Sequence, residues 1–112
     1  MANKSGIVAP SSSGSTPFTA FSYEIKGKVQ KVFFRKYTAA KAAELSIKGW
    51  VMNTTVGTVV GEAEGSVSAM ARFKTWLRTK GSPKSRIDEA VFTNERPVLD
   101  VERRFLTFAR RE

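Results

Sequence analysis

Two switches of hydrophobic period, one in each half of the chain, constrain its fold most. Phe21, Tyr23 and Ile25 alternate with Ser22, Glu24 and Lys26, the two-residue repeat of a half-buried strand. The alternation stops at a glycine-containing loop and gives way to an Ala-rich stretch, Arg35 to Leu45, whose composition favours helix. Phe34, Thr38, Ala42 and Leu45 fall within one arc of that helix; Lys41 falls there too and must snorkel outward. Ile47 to Met52 and Thr58 to Glu64 read as two strands of a hairpin turning at Thr54 to Gly57. The second switch follows at once. Ser66 is placed as an N-cap, and Ala69, Met70, Phe73, Trp76 and Leu77 recur at helical spacing until Gly81, with Pro83 just beyond, stops them. Ile87 to Thr93 predicts a fourth strand, and Phe105 to Ala109 a short last one at an edge.

The order is strand, helix, strand, strand, helix, strand. Right-handed connections then put both helices on one face of an antiparallel sheet, an α+β sandwich of ferredoxin-like βαββαβ topology. Residues 18–112 are expected to form this domain. Residues 1–17, rich in Ser, Gly and Pro, are expected to be a flexible tail. With 112 residues, 41% of them hydrophobic, the chain can close one core and not two. Because this fold hosts many activities, function has to be read from side chains.

The sequence contains neither cysteine nor histidine. That removes disulfides, thiolate metal sites, cysteine nucleophiles and every mechanism that runs on imidazole. Nineteen Lys and Arg against ten Asp and Glu give a net charge of +9, which favours anionic ligands without choosing among phosphate esters, acyl phosphates and nucleic acid. The apolar runs are too short for a membrane span and the first residues do not read as a signal peptide, so the expected setting is the cytoplasm, with a monomer as the default state.

Gly27 to Arg35, GKVQKVFFR, joins the first strand to the first helix, where backbone N–H groups lack intrahelical partners. Lys26, Lys28, Lys31, Arg35 and Lys36 make the place electropositive, and it can hold an anion. Arg35 offers a planar fork to two phosphate oxygens, although a lone arginine is more often a solvated cation. Asn53 reads by default as a turn former. Residue types alone do not pair Arg35 with Asn53.

The stretch GKVQKVFFR resembles the signature loop Gly-x-Val-Gln-Gly-Val-x-Phe-Arg of the acylphosphatase family, and GWVMNTTVGTVVGEAEG resembles the family's second signature at the same separation. Trp76-Leu77 and GSPKSRIDEAVF are similar to the family's second helix and fourth strand, so the likeness runs from about Tyr23 to Phe108. The resemblance implies hydrolysis of the carboxyl–phosphate bond of acyl phosphates to carboxylate and inorganic phosphate, with no metal, cofactor or covalent intermediate. It implies that Arg35 holds the phosphoryl oxygens with N–H groups of the loop Gln30, Lys31, Val32, Phe33, Phe34 and Arg35, and that the carboxamide of Asn53 orients the attacking water. Gln30 is read as a structural loop residue. Lys31 stands where the signature has its second glycine, a position that provides either positive φ or clearance for the ligand.

Two other readings stay open at this stage. One is a catalytically impaired relative that binds phosphate or a protein partner. The other is a basic nucleic-acid-binding module, against which stands a third strand, TVVGEAEG, with two glutamates and no aromatic for base stacking. The partners expected are therefore a small acyl phosphate and inorganic phosphate, with no specific nucleic acid and no membrane. The basic residues of the second half, Arg110 among them, are read as a solvated surface.

Overall fold

The computed structural model describes residues 18–112, so the stretch 1–17 expected as a tail lies outside the described residues. The elements run β1 (Phe18–Lys28), α1 (Phe34–Glu44), β2 (Lys48–Asn53), β3 (Val59–Ser66), α2 (Val67–Thr79), β4 (Arg86–Val98) and β5 (Phe108–Arg111), with a short 3-10 turn at Asp100–Glu102. The strands form one sheet in the order β4-β1-β3-β2-β5, with β1 and β3 at its centre. The expected ferredoxin-like α+β sandwich is what forms.

Alternation decides which face is covered. Phe21, Tyr23 and Ile25 of β1 are buried together with Val51 of β2 and Val59 and Ala63 of β3. Onto them α1 lays Phe34, Thr38 and Ala42, and α2 lays Ala69, Met70, Phe73 and Leu77. Trp76 and Leu45 pack at the margin of this core. Tyr23 crosses over Gly61, where a Cβ would collide with its ring, and its hydroxyl donates to the Trp50 carbonyl at 2.9 Å. Burial pushes the Tyr23 phenol well above its ordinary range. The Ser66 hydroxyl caps α2 by accepting from the Ala69 N–H at 3.2 Å, and Gly81 leaves the helix at φ +59°, as read from the sequence.

Two strands differ from expectation. β4 continues past Thr93 to Val98: Asn94 takes a positive φ of 54°, the register shifts between Ala20 and Ser22, and Arg96, Pro97 and Val98 pair again with β1. Pro97 is tolerated because β4 is an edge strand. The last strand begins at Phe108 rather than Phe105, and it pairs with β2 in parallel, so the sheet is mixed and not wholly antiparallel. The cause is the route of the chain. After β4 it must travel from one edge of the sheet to the other, and residues 103–105 are occupied on the way: the Arg104 and Phe105 N–H groups donate to the buried Glu64 carboxylate at 3.1 and 3.3 Å. Having crossed, it runs alongside β2 in the same direction, with Phe108 against Phe73 at a ring separation of 6.0 Å.

Candidate active site

The segment between β1 and α1 is anchored at both flanks and open in between. Gly27, read from the sequence as a turn residue, lies inside β1, at φ +133°, and a Cβ there would collide with the Arg86 carbonyl of β4. Val29 and Val32 are buried and tie the loop to the core. The Gln30 amide donates to the Thr54 carbonyl at 2.8 Å and the Thr58 carbonyl at 2.9 Å, so this side chain clamps the loop to the β2–β3 turn. The side chain thus bridges two loops.

Between these anchors Lys31 and Phe33 both take left-handed conformations, with φ of 62° and 60°, while Val32 between them does not. Each such residue costs about 1–2 kcal/mol when it carries a Cβ. Phe33 is the N-cap of α1, and its side chain makes no capping bond. The first intrahelical bond runs from the Tyr37 N–H to the Phe33 carbonyl at 3.0 Å, which leaves the N–H groups of Phe34, Arg35 and Lys36 free of intrahelical partners. Alternating backbone hands and unpartnered N–H groups at the positive end of a helix form a concavity for an anion. Lys31 meets the left-handed requirement that a glycine would satisfy at no steric expense, and its side chain is exposed.

Arg35 stands in the first turn of α1. Its guanidinium donates to the Arg111 carbonyl of β5 at 2.7 Å and lies 3.8 Å from the Glu112 carboxylate. Asn53 is the last residue of β2, on the side of the sheet that faces the helices. Its Oδ1 is buried and has no hydrogen-bond partner among the described residues. A buried carbonyl oxygen without a donor costs about 1–3 kcal/mol, a penalty that a ligand or water donating to it removes.

One cleft of about 380 Å³ joins these groups; it is lined by Val29, Lys31, Phe33, Phe34, Arg35, Lys36, Asn53 and Arg110. Of the residues singled out from the sequence, Lys31, Phe33, Phe34, Arg35 and Asn53 meet here. Gln30 and Val32, also singled out, do not line it: Val32 is buried and Gln30 is bonded to the β2–β3 turn. Arg110, taken for a surface cation, lines the cleft from β5; its own neighbourhood in the sequence carries no sign of this, since it arrives by the parallel pairing of Arg110 with Val51. Phe33 is 72% exposed at the mouth, with the Lys36 ammonium 5.8 Å from its ring centre. A second cleft of about 410 Å³ lies over the helices, lined by Lys41, Ala71, Arg72, Thr75, Trp76, Thr79 and Lys80. Those residues all sit within helical turns or at a helix end, where backbone N–H groups are not gathered toward a common point, so volume alone does not make it the site.

The acylphosphatase family model matches residues 21–106. Acylphosphatase-1 of Gallus gallus is 47% identical over 89 residues, which is 80% of this chain and 90% of that protein. Acylphosphatase-1 of Homo sapiens is 51% identical over 80 residues, 71% of this chain and 81% of that protein. Among solved structures, an acylphosphatase from Bacillus subtilis aligns with a TM-score of 0.75 at 28% identity, covering 84% of this chain and 99% of that one.

Proposed function

The chain belongs to the acylphosphatase family, and from that membership we propose how its own residues divide the hydrolysis of an acyl phosphate. The phosphoryl group sits on the free N–H groups at the start of α1, with the Arg35 fork on two of its oxygens. The Asn53 carbonyl accepts from a water and aims it at phosphorus. The observation that carries this reading is the buried Asn53 Oδ1, an acceptor left without a donor in the same cleft as the anion cradle.

In the step itself the water oxygen forms a bond to phosphorus while the bond from phosphorus to the carboxyl oxygen breaks. The electron pair leaves with the carboxylate, and the proton released by the water passes to a phosphoryl oxygen. A loose phosphoryl-transfer transition state asks for position and charge neutralisation more than for a strong base, and a carboxylate is a good leaving group. Arginine, oriented N–H groups and one carboxamide meet those needs. Arg35 arrives preset, since the Arg111 carbonyl already holds one of its nitrogens.

Strands β1 and β3 speak against base stacking as the principal role. Tyr23 of β1 is turned into the core, and the open face of β3 presents Val60, Glu62 and Glu64, the last covered by residues 103–105. A monomer in the cytoplasm, acting on small acyl phosphates without a specific nucleic-acid or membrane partner, belongs to the same reading. Sedimentation of the purified protein tests the monomer.

The test of the mechanism is steady-state hydrolysis of benzoyl phosphate. Asn53→Ala is expected to lower kcat by about 10²–10³, the size of effect seen when one oriented polar group of a transition-state site is removed, while inorganic phosphate still inhibits. A kcat within tenfold of wild type sinks the role given to Asn53. Loss of phosphate inhibition in the same variant marks a disrupted site instead of a missing water.

A further inference from the structure

The cleft holds more positive charge than a phosphoryl group needs. Lys31, Arg35, Lys36 and Arg110 line it, and no Asp or Glu does. Among the described residues, Arg35 has only the Glu112 carboxylate at 3.8 Å, and Lys31, Lys36 and Arg110 make no ion pair. A phosphoryl group carries roughly two negative charges at neutral pH. Arg35 and the free N–H groups of α1 answer to those.

The surplus is distributed over two walls. Lys31, Arg35 and Lys36 come from the loop and the first turn of α1, whereas Asn53 and Arg110 come from the sheet. Arg110 is thus the cation of the sheet wall. It sits beside Val51 in the β2–β5 ladder, two residues before Asn53 along β2 and on the same face. Its backbone is placed by pairing with β2 and not by the phosphate loop.

We propose that Arg110 is a specificity-determining residue that binds a second anionic group carried on the acyl part of the substrate, so that acyl phosphates of dicarboxylic or phosphorylated acids are preferred over those of simple monocarboxylic acids. This rests on the acylphosphatase reading above and sharpens it to a substrate class. A guanidinium on the wall of a partly enclosed cleft makes a charge-assisted contact to a carboxylate or phosphate, while an uncharged acyl group leaves it solvated. The preference therefore resides chiefly in KM and weakens as salt screens the contact.

The experiment compares kcat/KM for mono-succinyl phosphate and acetyl phosphate in wild type, Arg110→Gln and Arg110→Lys, at low and at physiological ionic strength. Wild type is expected to favour mono-succinyl phosphate, with the ratio falling about tenfold in Arg110→Gln, mainly through KM, and largely restored in Arg110→Lys. A ratio in Arg110→Gln within twofold of wild type overturns the proposal. So does an equal rise in KM for both substrates together with the inhibition constant of inorganic phosphate, which places Arg110 in the phosphate seat. Absence of turnover of both substrates by wild type is a different failure, that of the hydrolase reading itself.

Discussion

At the β3–α2 junction the chain passes straight from strand to helix, and the Ser66 hydroxyl takes up the Ala69 N–H. At the β1–α1 junction, the corresponding place in the other half of the fold, Val29 to Phe33 intervene, two residues sit in left-handed conformations, and no side chain caps the helix. One junction is closed by its own sequence. The other is kept open at the expense of backbone strain and unpartnered N–H groups, and two separate devices hold it so: the buried valines and the Gln30 clamp. The contrast teaches that this fold does not require an open loop at a strand-to-helix turn. The backbone strain before α1 therefore belongs to this loop and not to the topology.

The contrast can be broken most strongly at the second position of each helix. Arg35→Gln is expected to weaken inhibition by inorganic phosphate about 10²-fold, through loss of a bidentate charged partner, whereas Ser68→Ala at the matching position of α2 leaves it unchanged. Equal effects of the two substitutions on phosphate inhibition would erase the distinction between the junctions. Next in size is the reverse experiment on stability. Ser66→Ala is expected to lower unfolding free energy by about 1 kcal/mol in urea without altering kcat, because it removes a cap from the closed junction only. Lys31→Gly relieves left-handed strain but adds freedom to the unfolded chain, so a net gain of about 0.5 kcal/mol is expected. If the lysine ammonium contributes to holding phosphate, inhibition by phosphate weakens several-fold in the same variant; unaltered inhibition assigns Lys31 to solvent.

A further effect, told apart by its pH dependence, belongs to Tyr23, in the rigid strand that leads to the open junction. Its folded phenol is raised above the ordinary value of 10.0 by burial, so the unfolded state loses its proton first. The stabilisation from the buried neutral phenol is complete below pH 10.0 and is lost as pH rises above it toward the folded value. Urea titrations of wild type and Tyr23→Phe should therefore differ by a constant margin of about 1 kcal/mol below pH 10.0, from the variant's missing bond to Trp50, and converge or cross as pH climbs above it.

Much of this architecture is legible in the residues because local periodicity and burial agree. Phe21, Tyr23 and Ile25 point one way by the strand repeat alone, and Ser66 marks a helix start because its hydroxyl has a local partner. The hairpin and both helices follow from similar short-range rules. What was not legible depends on long-range geometry. The extension of β4 to Val98 hinges on a register shift against β1, and the late start of β5 on a buried carboxylate in β3 that occupies the Arg104 and Phe105 N–H groups. In the site, Lys31 was visible as a departure from a motif, but the left-handed backbone at Phe33 has no signature in a phenylalanine. Arg110 stood among several arginines of a basic segment, and only the parallel pairing of β5 with β2 distinguishes it from them. Asn53 was singled out by resemblance; what the structure adds is an acceptor with nothing to accept from.

The strand β5 spans only Phe108–Arg111 and is mostly exposed, yet its Arg111 carbonyl holds Arg35 from 76 positions away in sequence. Such a short edge segment detaches at a free energy below that of global unfolding. Competence of the site is then expected to follow a local opening equilibrium and not the melting of the domain. Hydrogen exchange at the β5 amides and loss of turnover on mild warming should report the same event, well before the central strands β1 and β3 exchange. Turnover is therefore expected to be lost first by reversible fraying at β5, ahead of any collapse of the core.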